Sequence, residues 1–388
     1  MGGSHGDRRA RSRPSRWSRR LALLAVGPLG LVALLAMVLL WPASTPAVEG
    51  ERPVEVFGTV VAVEARTCPE PLPDDVNGCG AARVEADDGR SLTAPLPNGV
   101  GAPEVDVGDD VVMIRSSTPD GDVYSIVDQQ RAAGLWVVAA AFVLALVAFG
   151  RWKGLTALAG LGVTFAVLLL FVVPAILAGE SPVVVAIVGS AVIMVTVLYL
   201  THGTGAAISV AVLGTLASLA LTGVLSALAV TALHLTGVTD DLSASVGTSG
   251  QVNTQGLLLA GIVIGTLGVL DDITVTQAVT VEELVRANPR LSAREAYRAG
   301  SRVGRSHVAS VVNTVILAYA GSSLPLLILV VSADSSWGGV LTDQVIAQEI
   351  VRSAVATIGL VAAVPVTTGL AALVATREAA DGELAVAG

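Results

Sequence analysis

Eight times between Leu21 and Val374 the chain returns to a run of roughly 20 predominantly apolar residues, the length a helix needs to cross a hydrocarbon core about 30 Å thick. Nothing else constrains the fold so strongly. In hydrocarbon the backbone must satisfy its own hydrogen bonds, so runs of this length and composition read as transmembrane α-helices. The composition agrees: 53% of the residues are hydrophobic and 14% charged, against about 25% charged in a typical soluble domain. The spans are placed at 21–41, 133–150, 155–178, 182–200, 205–235, 256–284, 308–331 and 352–374. The fifth and sixth are longer than a crossing requires, which predicts tilt, a kink or an interfacial extension.

Basic residues orient these spans. Seven arginines fall within the first 20 positions, Arg151 and Lys153 separate spans two and three, and Arg286, Arg290, Arg294, Arg298, Arg302 and Arg305 separate spans six and seven. Alternating helices put all three segments on one side, and the positive-inside rule makes that side the cytoplasm. The turns around Glu180, Asp240 and Asp334 hold no Lys or Arg, and Arg352 is the mild exception. The protein is expected in the cytoplasmic membrane, multi-pass, with both termini cytoplasmic. The first apolar run exceeds the 7–15 residues usual for a signal-peptide core and no clean A-x-A site follows, so it reads as a retained anchor. The organisation is then a basic tail (1–20), an anchor (21–41), an extracytoplasmic domain (42–132), a seven-helix domain (133–375) and a cytoplasmic C-terminal tail (376–388).

Residues 42–132 differ in kind. They carry 17 acids against six arginines, an excess of 11 negative charges, and short β-branched runs punctuated by Pro and Gly. The stretch "AARVEADDGRSLTAPL" reads as strand, Asp-Gly turn, strand. "VEVFGTVVAVEA", "VDVGDDVVMIRSS" and "DGDVYSIVDQQR" supply the rest of a small all-β domain, a barrel or a sandwich, with an OB-like barrel as one form it would take. Cys68 and Cys79, the only cysteines, lie here in one Pro/Gly-rich loop. Outside the cytoplasm they are expected to form a disulfide. No histidine lies near them, which disfavours a metal site.

One feature is expensive. "GTLGVLDDITVTQAVTVEEL" places Asp271 and Asp272 inside the sixth apolar run. With Glu282 and Glu283 at the interface, Asp272 sits about 15 Å deeper at 1.5 Å per residue, which is roughly the bilayer midplane. Dehydration and mutual repulsion both oppose full ionisation of such a pair, so two carboxylates sharing a proton form a proton-binding element. Intramembrane ionisable residues usually face a pathway or a bundle interior. Asp272, Thr276, Thr280 and Glu283 recur at helical spacing and line one face, with Asp271 beside Asp272 and continuing toward Val275 and Ala278. The reading places Asp272 on a polar path with Asp271 as its partner. Gly261, Gly265 and Gly268 permit close helix approach before the pair. Asn313, with Ser310 and Thr314, is a candidate to face Asp272 from span seven; plain helix-to-helix hydrogen bonding is the competing reading. His202, His234 and His307 lie at span ends, and Pro325 predicts a kink in span seven.

"QGLLLAGIVIGTLGVLDDITVTQAVTVEEL" and "GRSHVASVVNTVILAYAGSSLPLL" resemble the signature of the YibE/F family of bacterial multipass membrane proteins. The resemblance covers most of residues 50–375 and implies a family whose biochemical activity is undefined. More locally, "GVLDDITVTQAVTVEELVRANPRLSAREAYRAGSRVG" is similar to the central segment of resistance-nodulation-division permeases. That similarity implies a proton-relay role for Asp271 and Asp272. Those permeases often draw a cationic partner from a second half; here no span holds a lysine, and a homodimer is the arrangement that would supply what is missing.

Two classes of function stay open. One is a proton- or sodium-coupled permease for a small solute or ion, embedded in the lipid bilayer. The alternative is a non-catalytic envelope protein whose outer domain binds a partner while the helices scaffold it. An intramembrane aspartyl protease would need a separated Y-D aspartate, which the chain lacks. No Walker A loop, H-E-x-x-H, CxxC or dinucleotide fingerprint occurs. The expectation is therefore no enzyme, no cofactor, no metal and no nucleic-acid partner.

Overall fold

The computed structural model describes residues 20, 22–43, 54–69, 76–119, 121–238, 247, 252–325, 327–328 and 337–387. The basic tail and the turns around Asp240 and Asp334 lie outside them, apart from Arg20. Two compact units emerge: Glu49–Arg151, and the segments before and after it.

The first unit is a five-stranded antiparallel sheet: β1 (Val54–Arg66), β2 (Cys79–Ala86), β3 (Ser91–Pro95), β4 (Asp110–Thr118) and β5 (Gly121–Gln129), in the order β3-β2-β1-β4-β5. β1 pairs with both β2 and β4, and its register shifts between Val60 and Ala62. Such a bulge bends and twists a strand. Side-chain alternation then buries one face: Ala82 and Val84, Val111 and Met113, Tyr124 and Ile126 meet Val60, Ala94 and Leu96 in a single core. The edge strands β3 and β5 approach each other. The Asp-Gly turn joins β2 to β3 as its sequence suggests. There the Arg90 guanidinium donates to Asp88 at 2.7 Å and holds that carboxyl below its usual value.

Cys68 and Cys79 are joined by a disulfide. Non-reduced peptide mapping is expected to recover both cysteines in one linked peptide; free thiols at both positions would overturn the pairing. After β5 comes α1 (Ala132–Gly150), which belongs to this unit and buries none of its residues. Arg151, at φ 52°, breaks the chain after it.

The second unit is helical. It comprises α2 (Gly27–Leu39), α3 (Trp152–Val167), α4 (Val173–Leu177), α5 (Pro182–His202), α6 (Ala206–Ala232), α7 (Thr254–Ala287), α8 (Ala293–Ser322), α9 (Trp337–Thr342) and α10 (Gln344–Ala387). Pro174 has no N–H to give, and the ladder joining α3 to α4 widens into a π turn at Leu168–Val172. α7 is central and packs on α5, α6, α8 and α10. Glycines set the closest approaches. Gly300 of α8 lies against Thr368 and Gly304 against Val364, so α8 and α10 run antiparallel. Thr367 of α10 packs over Gly214 of α6, and Thr222 of α6 over Gly359 of α10, making a second close antiparallel pair. Gly237, at φ 81°, turns the chain after α6 where its backbone meets that of Thr254, leaving no room for a Cβ.

Several boundaries differ from the sequence reading. Six helices among the described residues are long and apolar enough to cross a membrane: Ala132–Gly150, Trp152–Leu177, Pro182–His202, Ala206–Ala232, Thr254–Ala287 and Gln344–Asp381. The first apolar run forms a shorter apolar helix, Leu24–Leu39. The expected seventh span begins much earlier, at Ala293, because Ser292 and Glu295 form a reciprocal capping box. Its arginine-bearing first half keeps it from qualifying on apolarity. α8 stops at Ser322, so Pro325 follows a helix end rather than kinking a continuous span. The expected C-terminal tail is instead a continuation of α10, a single 44-residue helix.

Candidate ion-coupling site

The acidic pair lies in the middle of α7, a helix of 34 residues and hence about 51 Å long. Asn253 caps its start by accepting from Gly256 N at 2.9 Å. At the other end Arg286 donates to both Glu282 (2.6 Å) and Glu283 (2.5 Å), marking a charged interface.

The two aspartates point in different directions. Asp271 is half-buried, and its Oδ1 is enclosed without a hydrogen-bond partner. Asp272, the next residue round the helix, is exposed. The sequence set Asp272 on a polar path with Asp271 as its partner; of the two, Asp271 holds the enclosed oxygen and Asp272 lies on the exposed flank. The cause lies in the neighbours: α5, α6, α8 and α10 cover the remainder of α7 and leave one stripe free.

That stripe carries Gly261, Gly265, Gly268, Asp272, Thr276 and Glu283, all exposed, with Thr280 half-buried beside it. The shared face of Asp272, Thr276, Thr280 and Glu283 therefore exists, but it is an outer flank of the described chain. Thr280 donates to Thr276 O at 2.7 Å, so its hydroxyl is spent on its own helix. Asn313 is also exposed and makes no hydrogen bond to Asp272 among the described residues. The charges of Asp272 and Lys153 both reach the ring of His202 at the end of α5. His202 is thus a titratable group within electrostatic reach of Asp272, which its place in a Gly-rich turn did not reveal.

On the inner side a hydroxyl and amide system adjoins Asp271. Thr274 Oγ1 donates to Asp271 O at 3.2 Å and lies 2.6 Å from Thr215 Oγ1 of α6, both side chains fully buried. Thr215, Ser218, Thr222 and Ser226 form a buried stripe along α6, and Ser218 and Ser226 have no partner for their hydroxyls. Six residues further along α7 from Asp271, Gln277 is buried and donates through Nε2 to Gly300 O of α8 at 2.8 Å. Sequence reasoning missed Gln277 and Thr274. The available signal was a polar residue at six of the ten positions from Asp271 to Thr280, spread over more than one face of the helix.

Apolar runs that need hydrocarbon, and an acidic pair at the middle of one of their helices, define a polytopic membrane protein with ionisable groups in a membrane helix. The chain belongs to the YibE/F-like family, whose match covers residues 138–377, more than half of its length. No curated protein sequence and no solved structure matches it.

Proposed function

We propose that this YibE/F-like protein is a proton-coupled permease, with sodium as the other ion the site would suit, in which Asp271 and Asp272 bind and release the coupling ion. The observation that carries the reading is the enclosed, unpartnered Oδ1 of Asp271 at the middle of a membrane helix. An aspartate at a helix centre costs about 2.5–3.5 kcal/mol to insert on translocon scales, and a buried acceptor left unpaired adds to that cost. Asp272 and His202, on the exposed flank, give the route by which a proton reaches the pair from the cytoplasmic side, and the buried hydroxyls of Thr274 and Thr215, joined to the main chain of Asp271, line the way into the bundle. The protein sits in the cytoplasmic membrane with both termini inside, and its sheet, in this strand order with its edges near one another, is an OB-like domain on the outer side.

The test is pH-driven proton flux in proteoliposomes of the full chain. Wild type is expected to acidify the lumen on a pH jump, and the double variant Asp271→Asn/Asp272→Asn to match empty vesicles. Equal flux in both would assign the pair to structure and move the protein to the scaffolding alternative.

A further inference from the structure

A cavity of about 550 Å³ lies between α8 and α10, away from the acidic pair. Ile316, Ala320, Leu327, Ile350, Ala354 and Ile358 make most of its wall, and Tyr319, Ser323, Glu349, Ser353 and Thr357 supply its polar groups. From Ile346 to Ile358 it follows α10 for about 18 Å, close to the 15 Å half-thickness of a hydrocarbon core. Because the helices are antiparallel, Ser323 and Glu349 stand near the end where α8 finishes and α10 begins. Ile316 and Ile358 stand deeper. The wall is apolar at both ends, with Leu327 and Ile346 beside Ser323 and Ile358 at the deep end, and Tyr319, Glu349, Ser353 and Thr357 lie between them.

Glu349 of the wall is paired with Arg352, which stands beside the groove rather than on its lining. Arg352 Nη2 lies 3.5 Å from Glu349 Oε1, with both side chains mostly buried. That contact leaves much of the guanidinium unspent: Arg352 Nε is enclosed with no partner, and so is Thr357 Oγ1 on the groove wall. A guanidinium offers five N–H donors, and an enclosed donor left unpaired is costly. An acid and a base side by side complement a ligand that carries both signs.

We propose that this groove is a phospholipid site, in which one acyl chain lies along Ile316, Ala354 and Ile358 while a zwitterionic head faces the other way, its phosphate on Arg352 and its ammonium on Glu349. The occupant comes from the leaflet at the Ser323 end, and the site is independent of whether the protein moves ions.

The test uses the full chain in nanodiscs of mixed phosphatidylethanolamine and phosphatidylglycerol, followed by graded detergent extraction and native mass spectrometry. Wild type is expected to retain phosphatidylethanolamine in preference to phosphatidylglycerol. Ala354→Trp, which fills the groove from an exposed position, is expected to lose it at about tenfold lower detergent by direct steric exclusion. Arg352→Gln is expected to lose the head-group preference while keeping an acyl chain. A second measurement does not depend on these variants folding. No described cysteine is free, so Ile350→Cys takes a benzophenone label selectively, and photolysis should crosslink it to lipid. Equal retention in wild type and Ala354→Trp, equal retention of the two lipids by wild type, or a crosslink to a second copy of the chain would each overturn the proposal.

Discussion

Asp271→Asn is expected to abolish pH-driven flux, by about a hundredfold or more, because positioned proton-transfer groups contribute 10²- to 10⁴-fold. The substitution keeps the size and most of the hydrogen-bonding capacity of a neutral carboxyl and removes its ability to release a proton. Asp271 is the member of the pair with an enclosed, unpartnered oxygen, so neutralising it removes the carboxyl the bundle holds rather than the one on the exposed flank. Asp272→Asn, on the exposed flank near His202, is expected to lose flux by about tenfold, since a second group on that flank can still deliver protons. The control is thermal unfolding of the full chain in detergent, where both variants should match wild type. A loss of flux accompanied by an equal loss of folded protein would make the carboxylates structural. An Asp271→Asn variant with undiminished flux would remove the coupling role outright.

The order of these two effects is the reverse of what the sequence suggests, and the reason is instructive. Helical spacing correctly places Asp272, Thr276, Thr280 and Glu283 on one face, because that follows from the turn of one helix. Which face meets the bundle depends on where α5, α6, α8 and α10 lie, and no period within α7 encodes it. In a soluble protein the polar face would point outward by default. In a membrane that default is lost, and an enclosed aspartate and an exposed one read alike.

Elsewhere legibility followed the strength of the local signal. The Asp-Gly turn between β2 and β3 was plain, since few backbones suit that dipeptide. The long apolar runs located α1, α3 with α4, and α5 to α7 within a few residues, because hydrocarbon thickness sets their length. α8 was placed late. Its first half carries Arg294, Arg298, Arg302 and Arg305, and a search for apolar runs passes over it, although "SARE" at 292–295 is a capping box in the sequence. Gln277 and the glycines facing it were not legible at all, because their role exists only where three helices meet.

That junction yields the largest expected change in stability. Gly304→Leu should lower the unfolding free energy of the full chain by about 3 kcal/mol or more. Overpacking a filled core costs about 1–3 kcal/mol, and stranding a buried polar group adds about 1–3. A Cβ at position 304 would stand 2.5 Å from Val364 Cγ1 and 2.8 Å from Gln277 Oε1, while Gln277 is held by its bond to Gly300 O. The leucine must therefore push α8 away from α10 or expel the Gln277 side chain, and either move strands an amide inside the bundle. Gly304→Ala should show a smaller loss of the same sign. Gly261→Leu is the decisive comparison: it lies in the same bundle and a membrane helix, but nothing stands within 4 Å of its would-be Cβ, so its melting temperature should stay at the wild-type value. If Gly304→Leu and Gly261→Leu melt together, the three helices do not meet at Gly304. The inward setting of Asp271, one and a half turns from Gln277 along the same helix, would then lose its anchor as well.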